Sequence, residues 1–138
     1  MVQGVADDEE LNRDVERAMA LLGPLEGRVM RAVWTGEVAE TFVVRDVQAL
    51  MPKLAYTTVM TTLRRLADKG LLTARAEPGR RAHEYRAAGT AADYLVRASH
   101  DEAAQFVARY GDAALSAFAA RLADLTPDQR RRLEDLAQ

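Results

Sequence analysis

The chain has 138 residues, is 49% hydrophobic, carries a formal net charge of −2 and contains no cysteine. This length allows one compact domain, or a small domain with an oligomerisation arm. The absence of cysteine excludes disulfides and thiolate metal ligands. Apolar runs are too short to span a bilayer, and the acidic N-terminus does not resemble a secretory signal. The sequence therefore predicts a cytoplasmic protein with no direct membrane association.

The charge is distributed unevenly along the chain. Residues 1–23 carry two Arg against six Asp and Glu, whereas residues 55–90 carry seven Lys and Arg against three Asp and Glu. A local basic segment is suited to binding phosphate groups, and the charge of the whole chain is a poor guide to this property.

Residues 1–22 are predicted to form an acidic N-terminal extension that contains a helix. One helical face carries the apolar residues Leu11, Val15, Ala18 and Leu22. Two interpretations stay open: an ordered helix that packs on its own domain or on a second copy, or a poorly ordered leader. The apolar stripe favours the ordered helix.

Residues 23–88 are predicted to form a winged helix-turn-helix domain. A core helix begins near Pro24, which suits a first-turn position, and its apolar face contains Leu25, Val29 and Val33. The β-branched and aromatic run at 41–43 predicts a short first strand. Residues 44–51 predict a second short helix, which Pro52 ends.

The next predicted helix, Ala55 to Gly70, has two different faces. Val59, Leu63 and Leu66 form a core-facing stripe. The other face presents hydroxyl and guanidinium groups, which bond phosphate oxygens and base edges, and an α-helix fits the DNA major groove. A solvated polar face without a ligand is the simpler alternative. The candidate DNA contacts on this helix are Thr57, Thr58, Thr61, Arg64 and Arg65, followed in rank by Tyr56 and Thr62.

A hairpin is predicted after this helix. Gly70 is the expected helix stop, and strands at 71–77 and 82–86 flank the turn Pro78-Gly79-Arg80-Arg81. A helix followed by a hairpin with a basic tip is typical of the second half of a winged helix-turn-helix. The candidate DNA contacts on this wing are Arg80, Arg81 and His83.

Three stretches of this sequence resemble the penicillinase repressor (BlaI/MecI) family of transcriptional repressors. They are AYTTVMTTLRRLADKGLL at 55–72, the R-R-A-H-E-Y hairpin at 80–85, and Leu25-Glu26-x-x-Val29-Met30-x-x-x-Trp34. The similarity covers residues 23–90 well, whereas the C-terminal third is similar in pattern more than in identity. The resemblance implies a winged helix-turn-helix fold and a DNA-binding repressor.

Residues 89–138 are predicted to form a C-terminal helical dimerisation region. Its amphipathic helices follow a domain that is already closed, so their apolar stripes need a partner. A two-fold mate is the economical solution, and the alternative is a larger monomer in which these helices fold back. The residues assigned to dimerisation are Leu95, Phe106, Tyr110, Leu115, Phe118, Leu122, Leu133 and Leu136. A two-fold protein in turn predicts a palindromic operator in double-stranded DNA.

The family resemblance also implies a mode of release. Family members repress β-lactam resistance genes and are cut in the dimerisation region, in a pathway linked to a membrane-bound sensor protease. The matching bond in this sequence is Ala117–Phe118, although better-known members have a more polar residue before the Phe. A related branch responds to copper through a Cys-rich tail, which this cysteine-free chain cannot do.

Three rival functions are considered. A winged-helix regulator that binds a small effector directly would need a pocket. A winged-helix protein-interaction module would expose more apolar and aromatic residues than the Thr- and Arg-rich helix does. An enzyme is the least favoured, because neither His83 nor His100 belongs to a catalytic constellation. No cofactor, metal site or catalytic residue is predicted.

Overall fold

The computed structural model describes residues 2–76, 79 and 83–138, with side chains described from residue 7 onward. In chain order the elements are α1 (Val2–Ala20), α2 (Pro24–Trp34), α3 (Val44–Leu50), α4 (Tyr56–Asp68), β1 (Leu72–Ala76), β2 (His83–Ala87), α5 (Ala91–Tyr110), α6 (Asp112–Ala123) and α7 (Pro127–Leu136). They divide into two compact units, Met1–Arg97 and Ala98–Gln138, and the division falls within α5.

Helices α2, α3 and α4 of the first unit enclose its main hydrophobic core. Helix α3 ends at Leu50, five residues form a turn, and α4 begins at Tyr56, so this pair is a helix-turn-helix. The buried residues of the core are Val29, Met30, Phe42, Val44, Val47, Met51, Val59, Leu63, Leu66, Leu71, Leu72 and Tyr85. Both the core stripe of α2 and that of α4 are as the sequence predicts.

The end of α4 is fixed by a glycine in the left-handed conformation. Gly70 has φ +80°, and its N–H donates to the carbonyl of Ala67 at 3.0 Å, while the N–H of Leu71 donates to the carbonyl of Leu66 at 2.9 Å. This pair of bonds is the Schellman motif, which closes a helix and turns the chain away from its axis. The predicted stop at Gly70 is confirmed.

The wing is a two-stranded antiparallel sheet of β1 and β2, in which Ala74 lies opposite Tyr85. Phe42 forms an isolated β-bridge to Tyr85. The N–H of Phe42 donates to the carbonyl of Tyr85 at 2.9 Å, and the N–H of Tyr85 donates to the carbonyl of Phe42 at 2.7 Å. The expected strand at 41–43 is thus a single bridge. Because Phe42 and Tyr85 are both buried, this bridge attaches the wing to the core.

Helix α1 packs on α2 and on the beginning of α5 through a second, smaller cluster. Val15, Ala18 and Ala91 are its buried residues, and Trp34 and Tyr94 pack against them. Gly27 allows close approach of the helices, since a Cβ there would lie 3.5 Å from the Cβ of Met19. The apolar face predicted for the N-terminal segment therefore contacts residues of the same chain.

The second unit contains the remainder of α5, then α6 and α7. Gly111, with φ +59°, separates α5 from α6. Helix α7 begins with a capping box, in which the N–H of Gln129 donates to the Thr126 hydroxyl at 3.2 Å and the N–H of Thr126 donates to Gln129 Oε1 at 3.0 Å. Within residues 98–138 only Ala114 is buried, so this unit has almost no interior of its own.

Candidate nucleic-acid interface

Helix α4 presents one polar face to solvent and buries the opposite face in the core. Val59, Leu63 and Leu66 are fully buried. This anchoring orients the helix, because its buried stripe allows only one rotation about the helix axis. Six predicted contacts are exposed on α4, together with the acidic residue Asp68; the six are Tyr56, Thr57, Thr58, Thr61, Arg64 and Arg65.

The position of Thr62 differs from the sequence-based expectation. Thr62 is 5% exposed, and its hydroxyl donates to the carbonyl of Thr58 at 2.8 Å. A hydroxyl that bonds the preceding turn of its own helix and lies against the core cannot also contact DNA. The lower-ranked assignment of Thr62 as a DNA contact is therefore wrong.

The N-terminal turn of α4 leaves backbone N–H groups without a side-chain partner, although the N–H of Thr58 donates to the carbonyl of Ala55 at 3.1 Å. Ala55 is the N-cap, and no side chain caps the helix at this end, as expected for a residue without a side-chain acceptor. Uncapped N–H groups at a helix N-terminus, together with the helix dipole, favour an anion such as a phosphate. Lys53 is exposed in the turn just ahead of this end. Lys53 was not selected from the sequence, although its position beside the helix start was a usable signal.

The wing contributes His83, which is exposed at the start of β2 and has its ring 6.4 Å from that of Tyr85. Arg80 and Arg81 lie outside the described residues. Arg86, on the same strand as His83, forms an ion pair with Glu40 at 3.1 Å, and Lys69 forms one with Glu26 at 2.8 Å. These two cations are engaged within the chain, whereas Arg64 and Arg65 form no ion pair with any described residue.

A small cavity separates the exposed face of α4 from the wing. It has a volume of about 220 Å³ and is lined by Val44, Tyr56, Met60, Arg64, Ala67, Asp68, Ala74, His83 and Tyr85. Burial raises the pKa of the Tyr85 hydroxyl, and the positive charge of Arg64 partly offsets this effect. Arg64 is therefore exposed on the surface of α4 and also influences the buried Tyr85 hydroxyl through its charge.

Most residues assigned to dimerisation are exposed in the second unit. Their exposed fractions lie between 37% and 85%, for Phe106, Tyr110, Leu115, Phe118, Leu122, Leu133 and Leu136. Leu95 differs, since it packs against the Val15, Ala18 and Ala91 cluster in its own chain.

The bond Ala117–Phe118 lies in the middle of α6. The Phe118 ring contacts Phe106 edge-on, with 5.4 Å between ring centroids. A protease would therefore meet this bond in helical, hydrogen-bonded backbone.

Among the described residues, no helix combines the length and the apolar character needed to cross a membrane. No group of three or more His, Cys, Asp or Glu side chains there is arranged to hold a metal ion.

A helix-turn-helix with a polar, cationic second helix and an attached β-wing defines a protein of the winged-helix class. The family model described as penicillinase repressor matches residues 22–138. The chain thus belongs to the penicillinase repressor family, and is a DNA-binding transcriptional repressor rather than an enzyme. The match begins at residue 22, so α1 precedes the region that the family shares.

Comparison with individual proteins adds the following. No match is found among the curated proteins. Among solved structures, the chain is similar to a mutant MarR from E. coli complexed with operator DNA, with 16% identity and a TM-score of 0.44 over 94% of this chain and 84% of that one. Wild-type apo MarR from E. coli has 18% identity and a TM-score of 0.40, covering 94% and 89%. The transcriptional regulator PA4135 has 14% identity and a TM-score of 0.44, covering 91% and 96%.

Proposed function

We propose that the chain is a homodimeric repressor that reads a palindromic operator with α4 and its wing. The observation that carries this proposal is the exposed row of Thr and Arg on a helix whose other face is locked into the core. Arg64 and Arg65 are the candidates for guanine or phosphate, and the methyl groups of Thr57, Thr58 and Thr61 suit the thymine methyl. On the wing, Arg80, Arg81 and His83 would contact the backbone or the minor groove.

Because no side chain caps the start of α4, this end of the helix can bind a DNA phosphate while other residues of α4 contact the bases. A phosphate there would accept bonds from the N–H groups of the first turn, and Lys53 would add a positive charge. Such contacts fix the register of the helix on the duplex, while side chains further along α4 read the sequence.

Dimerisation through the second unit is supported by its lack of an interior. A 41-residue unit of helices in which only Ala114 is buried cannot be stable through its own packing. The exposed aromatic and leucine side chains of α5, α6 and α7 are the surface that a second copy would cover. Leu95 is less suited to this role, because it already packs in its own chain.

Release of the operator is proposed to follow cleavage at Ala117–Phe118, in a pathway linked to a membrane-bound sensor and controlling β-lactam-responsive genes. A cut within α6 would remove part of the dimer surface and so lower the affinity for a two-fold site. Repressor recovered from host cells after β-lactam challenge should contain fragments ending at Ala117, which are absent from unchallenged cells. Intact repressor still bound to DNA after challenge would contradict this release mechanism.

The central proposal is tested by selecting genomic DNA fragments with the purified protein at near-physiological salt, where counterion release suppresses non-specific binding. Enrichment of short inverted repeats upstream of genes is the expected result. Arg64→Ala should weaken the selected site by about 1–3 kcal/mol if Arg64 reads a guanine. Arg13→Ala is the matched control, since it removes the same charge from an exposed position on α1. Uniform weak binding that disappears with salt would reject operator recognition.

The dimer is tested separately by the mass of the protein in solution. Leu122→Glu places a charge on the proposed interface and should give a monomer that retains only half-site affinity. Leu21→Glu introduces the same charge at another exposed leucine, just after α1, and should leave the mass unchanged. If Leu122→Glu forms a dimer as tightly as the wild type does, this surface is not the dimer interface.

A further inference from the structure

The cavity between α4 and the wing has the composition of a small ligand site. Its lining combines four apolar residues, Val44, Met60, Ala67 and Ala74, with the tyrosines Tyr56 and Tyr85 and the polar residues Arg64, Asp68 and His83. Ligand sites are typically apolar concavities with a few placed polar groups. At about 220 Å³, this cavity is smaller than sites for drug-sized molecules and suits a compound with a single ring.

The hydroxyl of Tyr85 is the first of the placed polar groups. Tyr85 is 5% exposed, yet no described residue gives its hydroxyl a hydrogen bond. No buried side-chain oxygen or nitrogen in the described part of the chain lacks a partner, so this oxygen must reach open space, and the space that Tyr85 lines is the cavity. A buried tyrosine normally satisfies its hydroxyl, which makes an open one a ready partner for a ligand.

The second polar group is the guanidinium of Arg64. It forms no ion pair or hydrogen bond with a described residue, although Asp68 lies one helical turn further on. Burial raises the pKa of the Tyr85 hydroxyl, and the positive charge of Arg64 acts against this rise, so Arg64 is close enough to influence that oxygen. His83 lines the cavity from the wing side. The lining thus contains a guanidinium without a partner among the described residues, and a planar guanidinium is matched to a carboxylate.

We propose that this cavity binds a small aromatic carboxylate, with the ring between Tyr56 and Tyr85 and the carboxylate on Arg64 and the Tyr85 hydroxyl. The regulatory consequence rests on the proposed operator reading by α4. Because Arg64 serves both the cavity and the DNA-facing surface, a carboxylate that binds its guanidinium competes with DNA for the same group. The ligand therefore acts as an inducer that needs no cleavage.

The site is tested on the full-length protein without DNA, by following backbone amide NMR signals during titration with benzoate. Saturable shifts at residues around the cavity are expected, with much weaker binding of acetate, which lacks the ring, and of benzyl alcohol, which lacks the charge. Absence of saturable binding in the millimolar range overturns the proposal. Equal binding of benzyl alcohol or of acetate also overturns it, since the ring and the charge are both required.

Two variants localise the binding. Ala74→Leu fills the cavity and should abolish benzoate binding, whereas Thr73→Leu, on the opposite face of β1, should leave it unchanged. Tyr85→Phe removes only the open hydroxyl and should weaken benzoate by about threefold to tenfold. Wild-type affinity for benzoate in both Ala74→Leu and Tyr85→Phe would place the ligand elsewhere and refute the site.

The regulatory consequence has its own measurement. Saturating benzoate should lower operator affinity at least about tenfold in the wild-type protein and leave it unchanged in Ala74→Leu. Benzoate binding without any effect on a selected operator would refute the inducer role. If no operator is selected at all, the proposed function fails, while the DNA-free titration still decides whether the cavity binds the carboxylate.

Discussion

The guanidinium of Arg97 lies directly over the backbone of Gly70, 3.3 Å from the point where a Cβ would stand. The same guanidinium is 3.5 Å from the carbonyl of Lys69 and 5.7 Å from the centre of the Tyr94 ring. A positive charge at the C-terminal end of a helix interacts favourably with the helix dipole. Arg97 of α5 therefore holds the end of α4, which is the helix proposed to read DNA.

Gly70→Ala should destabilise the protein by about 1–2 kcal/mol from the left-handed backbone alone, and further through displacement of Arg97. Gly36→Ala is a matched control, because Gly36 has φ +79° at the end of α2 and nothing within 4 Å of its Cβ position. Urea unfolding of the two variants measures the difference. Equal losses would show that the Arg97 contact contributes nothing.

Thr61 and Thr62 are neighbours in the sequence with opposite environments. Thr61→Ala should lower operator affinity, because both the exposed methyl group and the exposed hydroxyl are lost from the proposed interface. Thr62→Val should leave it unchanged and alter stability by less than about 1 kcal/mol, since only a bond within α4 is removed. Quantitative operator binding of both variants is the measurement. A larger loss of affinity for Thr62→Val would reverse the assignment of the two faces.

Local spacing in the sequence predicted the elements that are stabilised locally. The periodic apolar residues of α2 and α4 and the glycine stop at Gly70 each depend on residues within two turns, and all three are present. The burial of Thr62 was not predicted. Periodicity assigns a residue at the border between two helix faces to either face, and it does not give the direction of a hydroxyl.

Long-range contacts were not predictable from spacing. The indole N–H of Trp34 donates to the carbonyl of Gly89, 55 residues away, at 3.1 Å, and Leu95 packs against α1 instead of standing free. The cavity beside α4 is lined by residues of four separate elements, α3, α4, β1 and β2, which meet only in the folded chain. Such features depend on tertiary packing, which a one-dimensional pattern does not contain.

Helix α1 should contribute to the stability of the first unit. Ala18 is fully buried against α2 and α5, so Ala18→Asp buries a carboxylate without a partner and should destabilise the protein severely. Asn12→Asp introduces the same group at an exposed position on the same helix and should change stability by less than about 0.5 kcal/mol. Thermal unfolding of the two variants tests this prediction. An unchanged transition in Ala18→Asp would mean that α1 does not pack on the unit in solution.

The start of α5 should make stability depend on pH. The backbone N–H of Thr90 donates to Asp93 Oδ2 at 2.9 Å, and the Thr90 hydroxyl bonds the N–H of Asp93 at 3.1 Å. The backbone bond from Thr90, followed by the bond to its side chain, lowers the pKa of Asp93 below its ordinary value of 3.8. Because the folded pKa is depressed, the charged carboxylate stabilises the folded state above the ordinary pKa, and this contribution is lost as the pH falls through the folded pKa.

Asp93→Asn should therefore lower the free energy of unfolding at pH 7, and the difference from the wild type should shrink in acid, as the pH falls below 3.8 and through the lowered pKa of the folded state. Gln129→Ala is the control, because the Thr126–Gln129 box has similar geometry but no titrating group. Its cost should be the same at both pH values. A penalty for Asp93→Asn that persists unchanged in acid would mean that the charge of Asp93 does not stabilise the start of α5.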